Sequence, residues 1–211
     1  MFLKCAMCIF QHMRTFVAST RTLNDGPTPP AGVLSGGVPV PLCQPAGGQL
    51  PTRPLSADEL YARCWWLGVH GGAGETTLAT LFAGVPAAEH SWPISDAPRK
   101  ARVVLVARTN FLGMVAAQAA MRDWSANHRQ QVNVLGLVLI ADRPGRLPRP
   151  LIDLQRTLEG ATRNLWWLPW VESWTLGAVP SRENAPTKEV EALRLGLNAA
   201  LKAAGKERQD A

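Results

Sequence analysis

A glycine-rich loop, residues 69–77 with the sequence VHGGAGETT, is the part of this chain best suited to chemistry. Gly71, Gly72 and Gly74 allow backbone N–H groups to converge on one point, and the N-terminus of a following helix adds partial positive charge. Loops of this kind bind phosphate groups when they connect a strand to a helix. We therefore predict a nucleotide- or anion-binding site formed by His70, Gly71, Gly72, Ala73, Gly74, Glu75, Thr76 and Thr77. The Thr76 hydroxyl is placed to bind Mg²⁺ when a nucleotide binds.

Around this loop, apolar runs that predict strands alternate with segments whose apolar residues have helical spacing. The predicted strands are 64–69, 102–107, 132–140 and 165–168, and the predicted helices are 76–83, 111–126, 150–161 and 187–204. Strands that are apolar on both faces and separated by helices indicate a parallel sheet covered on both sides. The sequence thus predicts an α/β fold with three layers and a doubly wound, mostly parallel sheet.

Proline and glycine are frequent in residues 20–56, which bury too little apolar surface to offset their ordering entropy. We therefore predict a disordered tail over residues 1–60, a folded domain over 61–206 and a short tail over 207–211. Met1 and Met13 are both candidate starts.

No apolar run approaches the roughly 20 residues needed to cross a bilayer. The apolar start is interrupted by Lys4 and Gln11, so we expect no signal peptide, no membrane span and a cytoplasmic protein. Cys5, Cys8 and His12 supply three of the four ligands that a structural zinc site needs, so we expect no zinc there. We assign no role to the other scattered histidines.

The carboxyl ends of the parallel strands form the ligand-binding edge in this fold class. This topology predicts that residues 70–75, 108–110, 142–143 and 169–172 meet. The rim candidates outside the loop are Arg108, Asp142, Arg143, Pro169 and Trp170.

Most of the rim candidates have more than one open interpretation. Arg108, Arg143 or one of the nearby Arg146 and Arg149 pairs with Glu75 or binds a phosphate, or else these are solvated loop residues. Asp142 contacts a purine amino group or caps a turn. Trp170 packs in the core or at the rim, stacks on a base or contacts a protein partner.

Positive charge is concentrated in residues 98–163, which hold eleven Lys/Arg and four Asp/Glu, a net charge of +7 against +6 for the whole chain. Such a segment attracts DNA, another polyanion or an acidic protein, or is a solvated face.

The loop resembles the deviant Walker A loop of the ParA/MinD ATPases, which has an early signature lysine, a later Walker lysine and two Ser/Thr residues. His70 stands at the signature-lysine position and Glu75 at the Walker-lysine position, whereas the inner glycines, Thr76 and Thr77 match. The chain is also similar to uncharacterised actinobacterial ParA-related proteins that share a Trp-Trp strand and this altered loop. The resemblance covers about residues 63–204.

This resemblance implies a P-loop NTPase-like domain over 61–206, ATP and Mg²⁺ as cofactors, and a setting in plasmid partition or mobile-element maintenance. Pro169 resembles the proline turn that lies near the nucleotide base in that family. Residues 96–98 are the one candidate in this sequence for a remnant of the switch segment that the family has. Dimerisation is left open.

Glu75 changes the chemistry that the resemblance implies. A carboxylate repels phosphate where a lysine attracts it, and like charges about 4 Å apart cost roughly 4 kcal/mol at an effective dielectric of about 20. Our leading hypothesis is therefore a pseudo-ATPase that binds a nucleotide or anion weakly, or docks a protein partner. The alternatives are an active ATPase for partition or cargo positioning in which a rim arginine replaces the lysine, and a nonspecific DNA-binding protein.

Overall fold

Four apolar runs of the sequence form one parallel sheet in the computed structural model, which describes residues 49–96 and 99–206. The strands in chain order are β1 (Thr52–Pro54), β2 (Trp65–Gly68), β3 (Trp92–Ile94), β4 (Ala101–Arg108), β5 (Val132–Ile140) and β6 (Leu165–Leu168). The helices are α1 (Glu75–Leu81), α2 (Phe111–Asp123), α3 (Arg149–Ala161), α4 (Glu172–Thr175) and α5 (Thr187–Lys206). The expected α/β class with a parallel sheet is confirmed.

The main sheet has the strand order β2-β4-β5-β6, and every neighbouring pair is parallel. Its strands are apolar on both faces, and alternate residues enter two separate cores. One core contains Trp65, Leu105 and Leu137 together with residues of α2 and α3. The other contains Trp66, Val106 and residues of α1 and α5.

Residues 49–60, which we expected to be disordered, carry regular structure. β1 pairs in parallel with β3, and the two form a separate two-stranded sheet. Arg53 of β1 binds Glu59 at 2.8 Å and lies 5.3 Å from the centroid of the Trp65 ring. A three-residue strand that ends in proline is stabilised by contacts of this kind with other segments. The residues of the strand alone do not predict these contacts.

The predicted helix 111–126 ends earlier than expected, because α2 gives way to a π-helical turn at Trp124–His128. This turn lets Asn127 donate to Asp123 Oδ1 at 2.8 Å, while Trp92 Nε1 donates to Asp123 Oδ2 at 2.8 Å. His128 Nε2 lies 3.4 Å from the same oxygen. His128, to which we had assigned no role, thus lies beside a buried carboxylate that ties α2 to β3 through its hydrogen bond from Trp92.

Several predicted features lie outside the described residues. They are most of the N-terminal tail with both candidate starts, the Cys5, Cys8 and His12 group, two of the three switch residues at 96–98, and the tail 207–211. Within the part of the chain that is described, no helix is long and apolar enough to span a membrane.

Replacement of Gly196 by alanine tests how closely α5 packs on the sheet. A Cβ at Gly196 would overlap Trp166 Nε1 and lie 3.1 Å from Trp166 Cε2, so we expect Gly196→Ala to lower the free energy of unfolding by about 1–3 kcal/mol. Gly205→Ala in the same helix meets nothing within 4 Å and should be neutral or slightly stabilising. Urea unfolding of both variants measures this, and equal midpoints would contradict the packing.

Candidate functional site

Hydrogen bonds join three of the four predicted rim segments at the carboxyl edge of the main sheet. The backbone N–H of Arg108 donates to His70 Nε2 at 3.0 Å, and its side-chain Nε donates to the Gly72 carbonyl at 3.2 Å. The Asp142 N–H donates to Thr109 Oγ1 at 3.1 Å. The glycine-rich loop and the ends of β4 and β5 therefore form one surface, next to the end of β6, where the Ala141 N–H donates to the Leu168 carbonyl.

The predicted loop residues differ widely in exposure. Gly71, Gly72 and Thr76 are exposed, His70, Gly74 and Thr77 are half-buried, and Ala73 and Glu75 are buried. Gly72 and Gly74 have φ values of 74° and 103°, a left-handed conformation that glycine adopts without strain. Exposed glycine backbone beside the first turn of α1 leaves N–H groups accessible to a ligand.

The Glu75 carboxylate is directed into the protein and is 6% exposed. Its Oε2 accepts the backbone N–H of Gly68 at 2.7 Å, and its Oε1 lies 3.4 Å from His90 Nε2. The structure thus does not support the phosphate-facing position that we assumed for this carboxylate. Glu75 instead accepts a hydrogen bond from the backbone at the end of β2.

His90 completes this arrangement, although sequence reasoning gave it no role. Its Nδ1 lies 2.7 Å from the Gly68 carbonyl, which can only accept, so Nδ1 carries a proton. Glu89 and His90 have φ values of 55° and 54°, an unusual conformation for two successive non-glycine residues. A Cβ at Gly68 would lie 2.8 Å from His90 Cε1, so the close approach requires glycine. We call this cluster the Gly68–Glu75–His90 ring.

His70 is held as a neutral imidazole. Its Nε2 accepts the Arg108 N–H, so its proton lies on Nδ1, which is 2.9 Å from the Gly71 carbonyl. Burial is the main cause that lowers the pKa of His70, and electrostatic interactions with His90 and Arg108 lower it further, whereas the hydrogen bond to Gly71 and the charge of Asp142 act in the opposite direction. His70 therefore does not supply the positive charge of a signature lysine at neutral pH.

Arg108 is the rim arginine that reaches the loop. Its Nη1 donates to the Ala141 carbonyl at 3.1 Å while Nε holds Gly72, so the guanidinium spans the loop and the end of β5. It is half-buried, and burial lowers its pKa while Asp142 raises it. An arginine stays protonated despite such a shift. Arg108 does not pair with Glu75, although the sequence left that pairing open.

The other rim candidates are less engaged. Asp142 and Arg143 are exposed on the loop after β5, and Pro169 and Trp170 are half-buried after β6. The described residues contain no group of three His, Cys, Asp or Glu side chains that could hold a metal ion. The carboxyl edge presents the exposed backbone of Gly71 and Gly72 and the Arg108 guanidinium, with the exposed Asp142 carboxylate near Arg108. Backbone N–H groups and a guanidinium are groups that can bind an anion.

Residues 62–191 match the model of a family of unknown function, DUF6668. The chain belongs to this family. No curated protein and no solved structure matches it. The DUF6668 region contains the glycine-rich loop, the Gly68–Glu75–His90 ring and Arg108, and it excludes β1 and most of α5.

Replacement of Glu75 tests the ring in this DUF6668 domain. Glu75→Lys removes the acceptor of a buried N–H, so we expect a loss of about 1–3 kcal/mol in the free energy of unfolding. Glu75→Gln keeps an acceptor oxygen and should lose less. The control is Glu172→Lys, an exposed residue in the first turn of α4. If Glu75→Lys unfolds at the same urea concentration as the parent, the Gly68 bond contributes nothing.

The pH dependence of stability tests the neutral state of His70. Because its folded-state pKa is lowered, the unfolded chain takes up the proton first, and stability falls as pH drops below about 6.5. Between pH 7.5 and 5.5 the parent should lose more stability than His70→Gln. The difference should be below about 1 kcal/mol, since solvent partly screens a half-buried group. Urea unfolding at both pH values measures it, and equal losses would indicate that His70 accepts a proton when folded.

Proposed function

We propose that this chain is a P-loop-like pseudo-ATPase related to ParA/MinD proteins, which binds an anion weakly at the glycine-rich loop and docks a protein partner at the same edge. The three-layer, doubly wound P-loop NTPase-like fold is part of this proposal. The observation that carries it is that neither lysine position supplies a cation. His70 is neutral and hydrogen-bonded to the backbone, and Glu75 accepts the Gly68 N–H and lies 3.4 Å from His90 Nε2.

Weak anion binding is supported by what remains at the loop. Gly71 and Gly72 are exposed, and the Arg108 guanidinium spans the loop. Because Arg108 already donates to two backbone carbonyls, contact with a phosphate requires its remaining donors or release from those carbonyls. Without a lysine at the β- and γ-phosphates, transition-state charge is poorly stabilised, and hydrolysis is not expected.

Partner docking is supported by apolar side chains at this edge. Phe111 is 63% exposed and Leu112 is 61% exposed, and they are the first two residues of α2, directly after the end of β4. Exposed apolar side chains next to a polar rim are typical of protein interaction surfaces. A role in plasmid or mobile-element maintenance rests on the resemblance alone.

An active ATPase is the second candidate, and the position of Arg108 favours it over DNA binding. Arg108 is a cation placed across the loop, as a substitute for the Walker lysine would be. Nonspecific DNA binding has less support, because the basic residues of 98–163 are divided. Arg143 and Arg146 follow β5 at one edge of the sheet, whereas Arg99 and Lys100 precede β4 at the other.

Calorimetric titration of the full chain with Mg-ATP, Mg-ADP and Mg-GTP tests the proposal. We expect dissociation constants near or above 1 mM, about −4 kcal/mol, and no phosphate release above the background. Arg108→Ala should weaken any binding that is detected, Arg108→Lys should retain part of it, and the exposed Arg143→Ala is the control.

Micromolar binding of one nucleotide that Arg108→Ala abolishes, together with phosphate release, would overturn the pseudo-ATPase and establish the second candidate. Glu75→Lys is not a suitable rescue variant, because the structure uses Glu75 to hold Gly68.

A further inference from the structure

A cavity of about 270 Å³ opens at the amino edge of the main sheet, at the opposite end of the strands from the glycine-rich loop. It lies where β2 and β4 begin, beside the 3₁₀ turn at Glu59–Tyr61. Its lining includes Leu55, Leu60, Tyr61, Trp65, Arg99 and Lys100. None of these residues takes part in the proposed function, so an inference about this cavity does not rest on it.

Apolar and aromatic side chains make up most of the cavity lining. Trp65 is buried, Leu55 and Leu60 are half-buried, and Tyr61 is 84% exposed. A tyrosine with this exposure beside a cavity provides a large contact area at low entropic cost, as tyrosines at binding interfaces do. The volume is below the roughly 300–1,000 Å³ of typical small-molecule pockets. It suits one large apolar side chain better than a nucleotide.

Basic side chains also line the cavity. They are Arg99, Lys100 and Arg102, and Glu59 is the one carboxylate among the lining residues that are described. Arg53 binds both oxygens of Glu59, at 2.8 and 3.0 Å, so this carboxylate is already neutralised. Lys100 donates to the Arg129 carbonyl at 2.9 Å, which brings a further exposed arginine to the same edge.

We propose that this cavity binds an acidic peptide segment of a protein partner. One apolar side chain of that segment fills the cavity against Trp65 and Tyr61, and flanking carboxylates contact Arg99 and Lys100. Charge complementarity selects an acidic partner, since Arg99 and Lys100 line the cavity and its one described carboxylate, Glu59, is already paired with Arg53. The mostly apolar lining favours a peptide over a nucleic acid, whose binding is dominated by phosphate contacts.

The test is selection of binders from a random library of 12-residue peptides displayed on phage, with the full chain as the target. The parallel target is the variant Arg99→Glu/Lys100→Glu, checked for an unchanged urea midpoint. We expect enriched peptides to contain Leu, Phe or Trp flanked by Asp or Glu, and we expect the variant not to enrich them. The charge-matched control is Arg143→Glu/Arg146→Glu, two exposed residues at the opposite edge.

The most enriched peptide is then labelled and titrated by fluorescence polarisation. Arg99→Glu/Lys100→Glu should weaken its binding at least tenfold, and Tyr61→Ser, which changes an exposed side chain, should weaken it by about threefold or more. The control variant should leave it unchanged. A peptide in which the apolar residue is replaced by serine, at the same charge, should also bind at least tenfold more weakly.

Three results would overturn the proposal. The first is that no acidic peptide is enriched. The second is that the serine peptide binds as well as the parent peptide, which would indicate charge attraction alone. The third is that a labelled 20-nucleotide single-stranded DNA binds more tightly than the selected peptide with the same dependence on Arg99 and Lys100.

Discussion

The backbone of Gly68 needs two hydrogen-bond partners that no neighbouring strand supplies. β2 is an edge strand of the main sheet, and the N–H and carbonyl of its last residue point away from β4. A buried N–H or carbonyl without a partner costs free energy comparable to a lost hydrogen bond. Glu75 and His90 supply the missing partners from the following helix and from a loop 22 residues further along the chain.

This requirement accounts for features on both sides of the loop. The carboxylate of Glu75 is committed to Gly68, so it is unavailable at the loop surface. His90 reaches the Gly68 carbonyl from two successive left-handed residues, and a strained backbone of this kind persists only when its surroundings hold it. His70 and Arg108 show the same pattern on the other side, where a ring nitrogen and a guanidinium bind backbone groups. The glycine-rich loop resembles the phosphate-binding loop of an ATPase, but its polar side chains form hydrogen bonds to backbone groups.

The two ends of the sheet differ in chemistry. At the carboxyl edge, exposed glycine backbone and Arg108 lie near the apolar start of α2. At the amino edge, a mostly apolar cavity is also lined by basic side chains. The concentration of positive charge that the sequence shows in residues 98–163 is thus distributed by the parallel topology, which sends residues before and after each strand to opposite edges. One basic segment becomes two separate surfaces.

Apolar periodicity and glycine spacing determined the main sheet, the long helices and the place of the glycine-rich loop, because these depend on patterns within one segment. The pattern also placed Arg108 and Asp142 at the loop edge, since parallel strands bring their carboxyl ends together. It missed β1 and β3, the π-helical turn and the role of His90, because each depends on a partner distant in sequence. The sequence showed that residue 75 is acidic where the resembled family has a lysine. The orientation of the Glu75 side chain, however, is determined by the Gly68 N–H, which no neighbouring strand pairs. Only the tertiary structure could decide this, because it brings the Glu75 carboxylate next to a buried N–H that needs a hydrogen-bond acceptor.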